Sequence, residues 1–379
     1  LLHINETAVL CRRFFLEKRS MTDRRPYLAH GVVLLALLLS GCSVKTNDPL
    51  PERPYHHTDN GFRNPPNSPR RDSSLSVRLK FFASIVWQQI TGRDDVLPDG
   101  HQLGADEVTR QLQQAGSNSV TWIGHATFLV NLGGVRILTD PVFSRRASPL
   151  SFAGPKRLFP PALPLDQMGD VDIIVISHAH YDHLDVLTLR HIPNKSSVTV
   201  VVPLGLGKYA DGLGFAAVHE VDWNDRVTVN GVEVTAYPAV HWSNRTPFDI
   251  NETLWMSYAL HGNGVTVFHT GDTETHPTVF KDIGADLRAR YQGCDLGLMS
   301  IGAYAPRPMM QGAHMDPEGG VQVGLDLGCR AMVPMHWGTF ILSLEPLGEP
   351  LERFQRAAGN KARIMRIGET LTIVPDDKS

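Results

Sequence analysis

The feature that most constrains this chain is a six-residue run, His178-Ala179-His180-Tyr181-Asp182-His183, entered directly from the apolar stretch VDIIVIS at 171–177. Four potential metal ligands in so short a span cannot be a core pattern, because burying them unpaired costs on the order of several kcal/mol. They are not a solvated charged face either, since an apolar strand leads into them. In extended chain leaving a strand, His178 and His180 point to one side. Asp182 and His183 are expected at the start of the next helix, facing a second point a few ångströms away. Two imidazoles at one point and a carboxylate plus an imidazole at another suit Zn²⁺ or a similar divalent ion. The bland alternative is a helix-capping Asp182 with incidental histidines.

A metal cluster needs further ligands, and three apolar stretches end on candidates. VEVTAYPAV leads into His241, VTVFHT into Gly271-Asp272-Thr273, and AMVPM into His336-Trp337-Gly338. Singly, each has an ordinary explanation, because histidines at strand ends are often just hydrogen-bonded and Gly-Asp often just turns the chain. Together they supply three ligands to each of two ions, plus one carboxylate able to bridge them.

The rest of the chain sets the frame. Its 379 residues are 42% hydrophobic, with 17 histidines and a formal charge of −3. That is too apolar for general disorder and too close to neutral for a protein that grips nucleic acid through phosphates. From residue 119 onward, short β-rich runs alternate with helical patterns near 183–191, 275–287, 316–327 and 346–358, with no internal repeat and no break. This reads as one α/β domain with two layers of strands and helices outside. KFFASIVWQQI, at 80–90, has apolar residues at helical spacing. Residues 42–78 are rich in Pro, Asn, Asp and Ser and read as a tether or extended arm, its adjacent His56 and His57 simply solvated. The domain is then expected over 79–379. Cys294 and Cys329 read as two isolated buried thiols, although an oxidising compartment could pair them.

The N-terminal segment reads as an address. Arg24 and Arg25 precede the apolar or small run Gly31–Leu39, shorter than the ~20 residues of a membrane span. Ending on Leu39-Ser40-Gly41-Cys42, it resembles a bacterial lipoprotein signal, which implies cleavage before Cys42 and lipidation of its sulfur. Ser43 in place of aspartate implies the outer membrane, hence a cell-envelope lipoprotein facing the periplasm. An ordinary signal peptide or a buried helix would share the apolar run. Residues 1–20 then precede a start at Met21, and loss of 1–41 leaves the chain more acidic still.

The ligand pattern resembles the metallo-β-lactamase fold superfamily, with its His-x-His-x-Asp-His run followed by His, Asp and His at strand ends. The resemblance implies a four-layer αββα sandwich. It implies one ion on His178, His180 and His241, a second on Asp182, His183 and His336, and Asp272 between them. Further blocks are similar to the N-acyl-phosphatidylethanolamine-hydrolysing phospholipase D group and its bacterial outer-membrane relatives: WIGHATFLV (122–130), TDPVFSRRASPLSFAGPKR (139–157), VVPLGLGKY (201–209), PAVHWSNR (238–245), IGAYAPRPMM (301–310), HMDPEG (314–319) and HWGTF (336–340). By that resemblance His314 is a histidine beside the metals that donates to a phosphoryl oxygen or leaving group, unless it merely caps the helix opening at Asp316-Pro317-Glu318. His125 and Asp140 are expected to orient ligands, although Asp140 could simply bend the chain. Arg145, Arg146, Lys156 and Arg157 could form a basic substrate lip, or an ordinary solvated loop, and Tyr181 is a further substrate candidate. The expected activity is a dinuclear zinc phosphodiesterase on a phospholipid or similar amphiphile, with hydroxide held by the metals (Asp182 among their ligands) as nucleophile. A lactonase, esterase or amidase of the same fold is the alternative, and a non-catalytic lipoprotein is disfavoured by the complete ligand set.

Overall fold

The computed structural model describes residues 53–72, 74–91 and 97–375. The address segment and Cys42 lie outside the described residues, and among those described no helix is long and apolar enough to cross a membrane. An arm carries the short pair β1 (His57–Thr58) and β2 (Gly61–Phe62), followed by helices α1 (Leu75–Thr91) and α2 (Ala105–Gln114). Next come β3 (Asn118–Gly124), β4 (Thr127–Leu132), β5 (Val135–Thr139), β6 (Ile173–Val175), α3 (Val186–His191), β7 (Thr199–Pro203) and β8 (Ala217–Val221). The second half holds β9 (Arg226–Val229), β10 (Val232–Pro238), β11 (Met256–Gly262), β12 (Val265–His269), α4 (Val279–Tyr291) and β13 (Cys294–Ser300). Helices α5 (Arg307–Met310) and α6 (Pro317–Asp326), strand β14 (Cys329–Met335), helix α7 (Glu349–Ala358) and strand β15 (Thr370–Thr372) complete the chain.

Two mixed sheets result, ordered β15-β3-β4-β5-β6-β7-β8 and β14-β13-β12-β11-β10-β9. Their facing apolar side chains form one continuous core, from Val120, Phe128 and Ile174 to Leu260, Phe268 and Leu298. Helices α4, α6 and α7 cover the outer face of the second sheet, and α2 packs by β15 at the edge of the first. This is the expected αββα sandwich. Residues 173–175 and 199–203 are buried throughout, which is why those strands are unbroken apolar runs. Edge strand β9 instead alternates exposed and half-buried residues. Asn230-Gly231 and Asn263-Gly264 take positive φ at both positions and close tight hairpins, as Asn-Gly pairs do.

Three expectations are corrected. Asp182 and His183 do not open a helix: they lie in a turn closed by His183 N and Leu184 N donating to the His180 carbonyl, and α3 starts after Asp185, whose carboxylate caps it by accepting from Leu187 N at 3.1 Å. His56 and His57 are not simply solvated. Each Nε2 pairs with its own oxygen of Asp222, at 2.6 and 2.7 Å, and the buried His56 ring stacks on Trp223 at 4.1 Å. The polar arm finds its partners on the domain, an arrangement that no apolar period announces.

Cys294 and Cys329 are not isolated thiols either, because parallel pairing of β13 and β14 sets them opposite one another, joined as a disulfide with Cα atoms 4.4 Å apart. Peptide mapping without reductant should recover the two cysteines in one linked species. The double substitution Cys294→Ala/Cys329→Ala should lower unfolding stability by about 2–4 kcal/mol, since the bridge closes a loop spanning 35 residues of sequence. Two free thiols in the native protein would contradict the pairing.

Candidate metal centre

Strand ends deliver the cluster. The turn after β6 carries His178 to His183, His241 follows β10, Asp272 follows β12, and His336 follows β14 directly. The two sheets meet at this edge, where Met256 N donates to the Ser177 carbonyl at 3.0 Å and Tyr258 Oη to that of Ile176 at 2.9 Å. Gly271, just before Asp272, has φ +55°, and a Cβ there would lie 2.7 Å from that of Ser177. No side chain fits so close an approach.

Two donor sets stand side by side. In one, His178 Nε2 lies 2.8 Å from His180 Nδ1, which lies 3.2 Å from His241 Nε2. In the other, Asp182 Oδ2 lies 3.2 Å from His336 Nε2 and 3.6 Å from His183 Nε2. Between them sits one oxygen, Asp272 Oδ2, at 3.1 Å from the Nε2 atoms of His183 and His336 and 3.8 Å from those of His178 and His241. Burial, aided by neighbouring imidazoles, drives His178 and His241 well below the usual histidine pKa, and His180 down to about 4. These rings are therefore neutral and offer lone pairs. Burial opposes charge on Asp182 and Asp272, yet the surrounding histidines hold both well below the usual carboxylate range. His183 goes the other way, with burial opposed and outweighed by Asp272, Asp182 and Asp140. His183 Nε2 makes no hydrogen bond among the described residues. Converging imidazole nitrogens around ionised carboxylates, with a buried nitrogen left over, fit divalent cations in the two positions.

The orienting groups are as built as the donors. Asp140 Oδ2 accepts from Ser177 Oγ at 2.7 Å and from His183 Nδ1 and His269 Nε2 at 2.8 Å, while Oδ1 accepts from Ser177 N at 2.6 Å. With its proton committed to Asp140, Ser177 Oγ accepts from His178 Nδ1 at 2.9 Å. One carboxylate thereby fixes the tautomer of a histidine in each set. His241 Nδ1 donates to the Ala313 carbonyl at 2.8 Å. His125, also expected to orient ligands, meets Asp182 Oδ2 through Nε2 at 3.0 Å. His314 does not cap α6, because Asp316 does so by accepting from Gly319 N. Its ring is buried, with Nδ1 unpartnered among the described residues and 3.8 Å from Asp272 Oδ2.

Of the expected basic lip, Arg145 and Lys156 are exposed, whereas two cations are tied to the chain. Arg146 Nη1 donates to the Gly154 carbonyl at 2.6 Å, and Arg157, buried over the Phe340 ring, donates to the carbonyls of Ser144 and Val142. These two cations hold the 141–163 insertion together. Tyr181 lies under the Arg245 guanidinium at 3.9 Å, and Arg245 clamps the ligand turn through the carbonyls of Ala179 and Leu184.

Sequence reasoning missed several contributors, including Ser177, His269, Arg245 and Asn64. Asn64 in the arm grips the His241 backbone from both sides, Oδ1 accepting from His241 N at 2.9 Å and Nδ2 donating to its carbonyl at 2.7 Å. His269 ends an apolar strand three residues before Asp272, which was its available signal. Another cluster, His56, His57 and Asp222, also gathers possible ligands, but hydrogen bonds already pair each imidazole with its own oxygen. Asp140→Asn should weaken metal affinity about 10–100-fold in an equilibrium titration against a chelator. Unchanged affinity would mean that Asp140 only bends the chain.

Comparison with known proteins places the chain. A β-lactamase superfamily domain model matches residues 135–337, more than half of it. An uncharacterized protein of Mycobacterium tuberculosis is 41% identical over 280 residues, covering 72% of this chain and 73% of that one. The N-acyl-phosphatidylethanolamine-hydrolyzing phospholipase D 1 of Caenorhabditis elegans is 38% identical over 257 residues, covering 65% and 70%. A solved metallo hydrolase of the archaeon Ignicoccus hospitalis has the same fold, with TM-score 0.51 at 22% identity over 68% of this chain and 98% of its own. With its two sheets, its clustered His and Asp donors and these relatives, the chain belongs to the metallo-β-lactamase superfamily and is a metal-dependent hydrolase.

Proposed function

We propose that the chain is a dinuclear zinc phosphodiesterase of phospholipase D type, acting on N-acyl-phosphatidylethanolamine-like phospholipids. The observation that carries the dinuclear reading is the position of Asp272 Oδ2, within 3.1–3.8 Å of nitrogen donors from both sets. A single site would not need one oxygen shared between two triads. The phosphodiester reading is supported by the C. elegans relative.

When bound, two divalent ions supply an activated water at neutral pH and absorb charge on phosphoryl oxygens. His178, His180 and His241 would hold one ion, Asp182, His183 and His336 the other, with Asp272 touching both. Asp140, Ser177 and His125 keep those donors aimed. His314 is the donor aimed at the substrate, because its Nδ1, unpartnered among the described residues, faces the centre while its backbone is tied down, the carbonyl accepting from Arg307 Nη1 at 2.6 Å. Burial lowers its pKa to about 3, so the ring is neutral and an Nδ1–H would donate a hydrogen bond to the leaving oxygen or a phosphoryl oxygen.

The zinc-loaded protein should cleave bis-p-nitrophenyl phosphate and N-acyl phosphatidylethanolamine in preference to a lactone or a β-lactam. Hydrolysis of the carbonyl substrates alone would overturn the assignment. His180→Ala should lose metal and activity together, as read by elemental analysis alongside the assay. His314→Ala should keep its metal and lose rate by about 10²–10⁴-fold; full rate in that variant would remove His314 from the chemistry.

A further inference from the structure

In the 141–163 insertion Arg146 and Arg157 are tied to backbone carbonyls, and the arm offers another cation. Arg71 is half-buried, and its guanidinium carbon sits 4.6 Å from the centre of the Trp242 ring. Trp242 directly follows His241, and its ring lies 4.5 Å from that of His180. Arg71 therefore stands one aromatic ring away from the three-histidine set.

Its backbone is fixed against the 307–313 segment. Asp72 N donates to the Pro308 carbonyl at 2.7 Å, and Gln311 Nε2 donates to that of Arg70 at 3.1 Å. At Gly312, with φ +83°, a Cβ would lie 2.5 Å from the Pro69 carbonyl oxygen, so arm and loop touch backbone to backbone. The 307–313 segment holding the arm leads straight into His314. Arg71 is thus held between the residue after His241 and the segment that carries His314.

No described carboxylate pairs with this guanidinium, and no described group accepts a hydrogen bond from it. Burial lowers its pKa, and the charge of Arg78 lowers it further. A half-buried cation beside a second cation, with no anion among the described residues within reach, is electrostatically incomplete. A phosphodiester monoanion supplies what is missing, since its two non-bridging oxygens match the planar donor fork of arginine. A neutral ester or lactone does not.

We propose that Arg71, backed by Trp242, is the substrate-anion seat of this site and binds the phosphodiester monoanion beside the His178–His180–His241 set. The proposal rests on the phosphodiesterase reading above and names the group that selects for it. It places substrate recognition on the arm.

The test uses the zinc-loaded full chain with Arg71→Gln and Arg71→Lys. Inorganic phosphate binding is read by calorimetry, and KM is read for soluble bis-p-nitrophenyl phosphate and for N-acyl phosphatidylethanolamine in phosphatidylcholine vesicles. Arg71→Gln should weaken phosphate binding and raise both KM values about 10–100-fold at unchanged zinc content, with Arg71→Lys recovering part of the loss. Unchanged phosphate affinity in Arg71→Gln overturns the proposal. A KM change confined to vesicles also overturns it, since Arg71 would then act on the lipid surface. Zinc lost from both variants overturns it too, by assigning Arg71 to the wall of the metal site. Phosphate binding that depends on Arg71, in a protein that cleaves no phosphodiester, would leave the seat standing and remove the phosphodiesterase reading instead.

Discussion

The site depends on the buried carboxylate of Asp140. It accepts from the Ser177 hydroxyl, the Ser177 amide, His183 and His269, so strands β5, β6 and β12 all meet at one side chain. Its placement at φ +35°, directly after β5, aims it inward rather than along the strand. The four hydrogen bonds and the paired histidines offset the cost of holding a charge in the core. They also determine which nitrogen of His178 and His183 faces the cluster, and losing an orienting partner of this kind typically costs about 10–100-fold in metal affinity.

The fold turns that local arrangement into a site. Each sheet contributes strands ending at the same edge, and the shared apolar core holds the sheets in register there. The close approaches at Gly271 and at Gly302, where a Cβ would come within 1.9 Å of the His336 carbonyl oxygen, show how little slack remains. The donors are therefore preorganised in short turns that leave the strand ends directly. His314 differs, coming from the loop between α5 and α6 and held through its own carbonyl by Arg307, itself paired with the buried Glu274.

What the sequence made legible was whatever a single stretch of chain determines. The His-x-His-x-Asp-His run, the apolar strands that deliver it and the histidines and aspartate at other strand ends all follow from local pattern. The sandwich follows from strand spacing and from the resemblance these residues carry. Contacts between distant segments were not legible. Cys294 and Cys329 needed the β13–β14 register, His56 and His57 needed Asp222, and Asn64 needed the His241 backbone. The arm misled for the same reason: Pro, Asn and Ser mark an absence of regular secondary structure, not an absence of partners. Arg146 and Arg157 misled in the opposite direction, because positive charge in a loop looks like a binding surface until the carbonyls that accept from it are known.

On the proposed dinuclear reading, the two donor sets act as one centre through a single oxygen of Asp272. The most direct measurement is anomalous diffraction at the zinc absorption edge from crystals of the zinc-loaded protein. Two peaks are expected, one enclosed by His178, His180 and His241 and one by Asp182, His183 and His336, with the Asp272 carboxylate in contact with both. A single peak, or two peaks with Asp272 bound to neither, would contradict it.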